Sequence, residues 1–183
     1  MPNIFQILET GTASNNWASI EGISEKKQIS QTLRSWLTET ALLTDRLKDN
    51  VDDYRFEVLQ EYFNDDEEDG DNGVFVREVA MLSTNKPYIY GQTKTSRKTI
   101  AEHPWINQLG KNTLGEALKN INEVLRSEFT YCCFSISSNE LAHLESKKIT
   151  EMVVWARRSC FTLGDSELLT TELFLPGIEC LNN

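Results

Sequence analysis

The spacing of apolar positions changes several times along the chain, and each change marks an element. From Gln28 the residues Ile29, Leu33, Trp36 and Leu37 recur at helical spacing, and Leu42, Leu43 and Leu47 repeat the pattern. At Tyr54 the period becomes two: Tyr54, Phe56 and Val58 alternate with Arg55, Glu57 and Leu59, which predicts a strand. Val74 to Leu82 and Tyr88 to Thr95 are two further strands about a turn at Ser83-Thr84-Asn85-Lys86-Pro87. A short helical region follows, with Pro104 and Trp105 near its start and Gly110 closing it, and Thr113 to Asn120 suits another short helix. Val124 to Ile136 is rich in β-branched and aromatic residues and reads as one strand. Ser137-Ser138-Asn139-Glu140 has the form of a capping box opening a helix through Leu141 and Leu144. Met152 to Leu163 and Leu168 to Leu175 are the last strands, joined by the hairpin signal Gly164-Asp165-Ser166-Glu167.

About six strands joined by hairpin-length connections predict an antiparallel sheet and an α+β class. Residues 1 to about 27 are polar and weakly patterned, and are expected to be loosely held. The remainder, 28–183, is expected to form a single domain, because no repeat or linker interrupts it.

Composition narrows the function classes. At 183 residues, 39% hydrophobic and 25% charged, the chain has enough material for one packed domain and lacks the signature of disorder. No apolar run approaches a membrane span, and the N-terminus has no basic stretch followed by a long apolar one, so neither membrane insertion nor secretion is expected. The four cysteines form no C-x-x-C pair, and Cys132 and Cys133 fall on opposite faces of a strand; reduced thiols in the cytoplasm are the expectation. A formal charge of −10 argues against nonspecific nucleic-acid binding. It also means that any site for an anion must be built locally from placed cations and backbone N–H groups.

Against this background the charges inside apolar strands stand out. Arg77 shares a face with Phe75, Val79 and Met81, while Glu78 falls on the opposite face with Val76 and Ala80. A buried arginine is most often paired with a nearby acid; the functional alternative is a guanidinium that grips a carboxylate bidentately. Glu172 shares its face with Leu168, Thr170 and Phe174 and could pair with Arg77 or Arg157, or accept a substrate hydroxyl. Leu109-Gly110-Lys111-Asn112-Thr113-Leu114-Gly115 lies between two helical stretches, where backbone N–H groups can favour an anion. The acidic run from Asn64 to Gly73 lacks the acidic twelfth ligand of a calcium loop, Val76 standing there instead, and is read as a solvated hairpin loop. His103 and His143 have no cysteine or G-x-S-x-G turn near them, and no phosphate loop, dinucleotide fingerprint or metal-ligand spacing occurs.

In order, Trp36-Leu37, Leu43-Thr44-Asp45-Arg46-Leu47, Val76-Arg77-Glu78-Val79, Gly91-Gln92-Thr93, Leu109-Gly110-Lys111, Leu114-Gly115, Trp155-Ala156-Arg157-Arg158-Ser159 and Thr171-Glu172-Leu173-Phe174-Leu175-Pro176 resemble the chorismate pyruvate-lyase family. The likeness runs from about Ser35 to Pro176. It implies a monomeric α+β domain, free of cofactor and metal, whose helices cover an enclosed pocket. It implies a lyase that converts chorismate to 4-hydroxybenzoate and pyruvate on the way to ubiquinone. Carried over by position, Arg77 and Glu172 are the catalytic pair, meeting the ring carboxylate and the ring hydroxyl. Leu43 and Leu114 complete the binding set through backbone contacts. One departure is Gln92, where the family usually carries arginine; the implied cost is a cation beside the enolpyruvyl carboxylate, unless Lys94 or Arg97 supplies one. The rival expectation is a non-catalytic module of the same fold that senses small aromatic acids.

Overall fold

The period-two stretches pair into one antiparallel sheet, and the helical stretches gather over one of its faces. The computed structural model describes residues 17–24, 28–65, 73–137 and 151–181. Its helices begin with α1 (Ile20–Ser24), α2 (Gln31–Leu37) and α3 (Leu43–Asn50), followed by strands β1 (Tyr54–Asn64), β2 (Val74–Ser83) and β3 (Lys86–Ser96). Next come α4 (Arg97–Glu102), a 3-10 turn (Ile106–Gln108) and α5 (Leu114–Leu118). The chain ends with β4 (Val124–Arg126), β5 (Thr130–Ser137), β6 (Glu151–Leu163), β7 (Ser166–Phe174) and a second 3-10 turn (Pro176–Cys180). The order across the sheet is β1-β2-β3-β7-β6-β4, with β5 pairing a second stretch of β6.

The α+β class and the antiparallel sheet match the reading of the sequence, with two local differences. The run from Val124 to Ile136 breaks into β4 and β5 because Ser127 leaves the strand direction to clasp Cys160: its N–H donates to the Cys160 carbonyl and its Oγ accepts the Cys160 N–H. The helix expected to begin near Pro104 lies earlier. Ser96 caps it by accepting the Thr99 N–H at 3.0 Å, and Pro104 drives His103 out of helical geometry (φ −127°), leaving a short 3-10 turn beyond. Part of the stretch expected to be loosely held is packed: Ala18 bridges Tyr131, α1 buries Ile23, and the Arg158 guanidinium lies 4.2 Å over the Trp17 ring. The expected helix through Leu141 and Leu144 falls outside the described residues, as does most of the acidic run after Asn64.

Register across the four central strands orders one face into rows. Met81, Ile89, Phe174 and Trp155 are mutual neighbours and form an apolar row. Val79, Gly91, Glu172 and Arg157 make the next, then Arg77, Thr93, Thr170 and Ser159. Phe75, Thr95, Leu168 and Phe161 close the series. Two largely apolar rows thus enclose two polar ones. The first packs under α2 and α3 with Leu33, Trp36, Leu37 and Leu47. The last packs with Ile100, Ile106 and Leu118. On the other face Ala80, Tyr90, Cys132, Val154, Ala156 and Leu173 form a separate apolar cluster.

Candidate active site

The polar rows form the floor of a cavity of about 100 Å³, far more than the ~10–15 Å³ that one water needs on the same measure. It is roofed by Ala41 to Thr44 at the start of α3 and by Thr113 to Gly115 at the start of α5. Gly91 is needed in the floor. A Cβ there would stand 2.9 Å from Val79 Cγ2, and any larger side chain would occupy the cavity. Above, a Cβ on Gly115 would meet Leu42 Cδ2 at only 2.4 Å, so the two roof segments interlock where Leu42 rests on a bare backbone.

Arg77 is 2% exposed. Its Nη1 donates to Glu61 Oε1 at 2.6 Å, and its Nη2 donates to the carbonyls of Gly110 and Asn112, both at 2.9 Å. Burial pushes its pKa below the usual arginine value and Glu61 opposes the shift; a guanidinium stays charged regardless. The loop from Leu109 to Gly115 therefore turns carbonyls, not only N–H groups, towards the site. Gly110 makes this possible by taking φ +55°. The acid is delivered by a bulge. Val58 opposes Val79 and Gln60 opposes Glu78, so Leu59 is an extra residue and Glu61, not Gln60, faces Arg77.

Glu172 sits at the other end. Arg157, 1% exposed, donates from Nε to Glu172 Oε2 at 2.5 Å, and from Nη1 to the carbonyls of Leu37 and Glu39. This ties the floor to the link between α2 and α3. The same link is gripped from above by Arg46, which donates to Ser35 O and Ser35 Oγ and lies 4.1 Å over the Trp36 ring. Of the two partners the sequence left open for Glu172, the structure selects Arg157. Arg77 and Glu172 are separated by β3 and offset by two residues, so their Cα atoms are roughly 12 Å apart given ordinary strand spacing and rise.

Both leucines of the expected binding set line the cavity, with Arg77 and Glu172. Leu43 opens α3, whose N-cap residue Leu42 supplies no side-chain cap. Its first N–H groups are therefore not satisfied by a capping side chain. Beside it the buried Thr44 Oγ1 has no hydrogen-bond partner among the described residues. Leu114 opens α5, which Thr113 and Glu116 close with a capping box.

Gln92 lines the cavity, but its side chain turns away from it. Its amide donates to Glu78 Oε1 at 2.9 Å, and the pairing of Glu78, Gln92 and Thr171 puts these three on the face opposite Arg77. Arg97 pairs with Asp65 and lies over Phe63, and Lys94 alternates onto the Gln92 face. Besides Arg77 and Arg157, a third arginine lines the cavity: Arg126, a residue the sequence reading passed over. A charge two residues from Val124 in a strand-like run was the available signal, of the kind that picked out Arg77. Among the described residues no group of histidine, cysteine and acids could hold a metal ion.

One antiparallel sheet with a polar, helix-roofed cavity defines an α+β domain with a candidate ligand site. Solved structures share the fold. The PhnF C-terminal domain aligns with a TM-score of 0.52 at 11% identity, covering 71% of this chain and 87% of that one. The C-terminal domain of a histidine utilization repressor from Pseudomonas syringae pv. tomato aligns at 0.50 and 11%, covering 71% and 96%. These likenesses concern the fold alone. Sequence goes further: the family model described as chorismate lyase matches residues 15–179. A probable chorismate pyruvate-lyase of Thiobacillus denitrificans is 31% identical over 173 residues, covering 82% of this chain and 86% of the relative. One from Shewanella sp. (strain W3-18-1) is 30% identical over 154 residues, covering 80% and 82%. A chorismate pyruvate-lyase of Pectobacterium atrosepticum is 27% identical, covering 77% and 75%. The chain belongs to the chorismate lyase family, a family of enzymes.

Proposed function

We propose that the protein eliminates pyruvate from chorismate to give 4-hydroxybenzoate, the step that commits chorismate to ubiquinone. The observation that carries this reading is a helix-roofed cavity with a buried arginine at one end and an arginine-paired glutamate at the other. Three of the five Arg77 N–H groups are taken by Glu61, Gly110 and Asn112, both of Nη2 among them, so one of the remaining Nε and Nη1 N–H groups meets the ring carboxylate as a single charged donor. The N–H groups of Leu43 and Leu114, at two helix starts, add donors to the same acid. Both arginine contacts to Glu172 fall on Oε2, so Oε1 can accept the hydrogen bond of the ring hydroxyl.

The reaction is balanced without an oxidant or reductant. The proton on the hydroxyl-bearing ring carbon leaves, its electron pair becomes a ring double bond, and the neighbouring ether C–O bond breaks. Enolpyruvate departs and takes a proton at its methylene carbon to become pyruvate. Aromatisation supplies the driving force, so the protein's task is to hold the substrate and place charge around it. Glu172 fixes the hydroxyl-bearing carbon and Arg77 fixes the opposite corner of the ring. A monomer acting in the cytoplasm without cofactor completes the proposal; no described helix is long and apolar enough to cross a membrane. The test is to incubate purified protein with chorismate and a chelator and follow 4-hydroxybenzoate by absorbance. Formation at catalytic ratios is expected. No product at high enzyme concentration, with binding of 4-hydroxybenzoate retained, would favour a sensing module instead.

A further inference from the structure

We propose that Arg126, supplied by β4, binds the second carboxylate of the substrate, the one on the enolpyruvyl group. The proposal rests on the chorismate reading above and assigns the residue that makes the site selective for a dianion.

Position comes first. Arg126 pairs with Phe161 in the row that closes the cavity, and its side chain turns back towards the polar rows. Its Nε donates to Ser159 Oγ at 2.9 Å. The guanidinium is held between the rings of Phe129 and Phe161, 4.2 and 4.7 Å from their centroids. Nη2 lies 3.9 Å from Glu172 Oε2, too far for a hydrogen bond. The Nη groups make no hydrogen bond among the described residues, so a fixed fork with open donors stands beside the glutamate.

Charge points the same way. Arg77 is matched by Glu61 and Arg157 by Glu172, so of the three cavity arginines Arg126 has no acid of its own. Burial pushes its pKa below the usual arginine value; Glu172 opposes the shift and Arg157 adds to it. An incoming anion relieves both costs. In a chain of charge −10, such a local excess of one cation is a built feature.

The chemistry of chorismate then fixes the role. Its ether-bearing carbon is next to its hydroxyl-bearing carbon. A substrate with its hydroxyl at Glu172 and its ring acid at Arg77 carries the enolpyruvyl carboxylate on the Glu172 side, within reach of Arg126. The aromatic product has lost that carboxylate. Arg126 should therefore be felt by the substrate and hardly by the product.

The experiment compares Arg126→Gln and Arg126→Lys with the parent protein, measuring KM and kcat for chorismate and Kd for 4-hydroxybenzoate. Arg126→Gln should raise KM roughly 10- to 100-fold, the scale of a lost charge-assisted hydrogen bond, with kcat and product Kd within about threefold. Arg126→Lys should recover part of the loss, since it keeps the charge without the fork. An unchanged KM in Arg126→Gln, or an equal loss of substrate and product affinity, overturns the assignment. Should Arg126→Gln fail to fold, Arg126→Lys carries the comparison alone: a several-fold rise in KM at constant product Kd supports the role, and an unchanged KM defeats it. A parent protein that makes no 4-hydroxybenzoate defeats the underlying reading; an active parent with indifferent variants defeats only this one.

Discussion

Arg77 and Glu78 are adjacent in sequence, and both are 2% exposed, yet they lie on opposite faces of the sheet and meet different surroundings. On the closed face Glu78 accepts from the amides of Gln60 and Gln92 within a setting of Ala80, Tyr90 and Leu173. On the other face Arg77 holds an acid and two carbonyls and still borders a cavity, with Glu172, Arg157 and Arg126 further along it. Burial of a charge is common to both. What separates them is space beside the charge and an unequal number of cations and anions around that space.

The largest effect on this contrast should come from Arg77→Ala. It removes the cation from the cavity end, and affinity for 4-hydroxybenzoate should fall by at least about a hundredfold, read by calorimetry. Arg77→Lys should recover only part of it. Glu172→Gln follows. Turnover should drop by about a hundredfold or more at a temperature where the variant is fully folded. Because Arg157 is left without its counter-charge, the thermal midpoint should also fall by several degrees, on the scale of about 1–3 kcal/mol for a poorly satisfied buried group. If turnover matches the parent once folding is assured, Glu172 only holds Arg157 in place.

The opposite face supplies the control. Gln92→Arg puts a cation beside buried Glu78, on the face opposite Arg77, so KM for chorismate should stay within about twofold of the parent, while the longer charged side chain in a buried site should lower stability. A clear fall in KM would mean that position 92 reaches the substrate. The smallest effect concerns alkaline pH. Burial pushes the Cys132 thiol from its ordinary 9.0 up to about 12, and the Tyr90 and Tyr54 hydroxyls from 10.0 up to about 12. Unfolded chains lose these protons first, so the folded state binds more protons in that window, and stability should decline as pH rises from about 9 to about 12. Denaturant titrations at pH 8 and pH 10.5 check the direction.

The strands and their faces were legible because period two is written directly into residues such as Phe75, Arg77 and Val79. The pocket end at Arg77 was legible for the same reason: a charge among apolar neighbours is costly and therefore conspicuous. Its partner was not. Glu61 lies beyond a bulge, and alternation counted from Tyr54 assigns it to the wrong face. Arg126 offered the same signal, a charge in a strand-like run, but the face it takes depends on the break at Ser127, which rests on a tertiary clasp with Cys160. For Gln92 the residue type was visible, but the orientation of its side chain follows from the Glu78 register.

The extra residue in β1 gives the site an unusual vulnerability. Were Leu59 paired in the ladder instead of bulged, it would stand opposite Glu78, and Gln60 would stand opposite Arg77 in place of Glu61. A neutral amide would replace the anion, without any substitution near the ligand. Flattening the bulge in an exposed strand would thus unbalance a buried guanidinium, whereas deleting Leu59 itself would leave Glu61 opposite Arg77. The pairing register beyond Val58, more than the identity of the residues at the bulge, is what to compare when asking whether another sequence keeps this anchor.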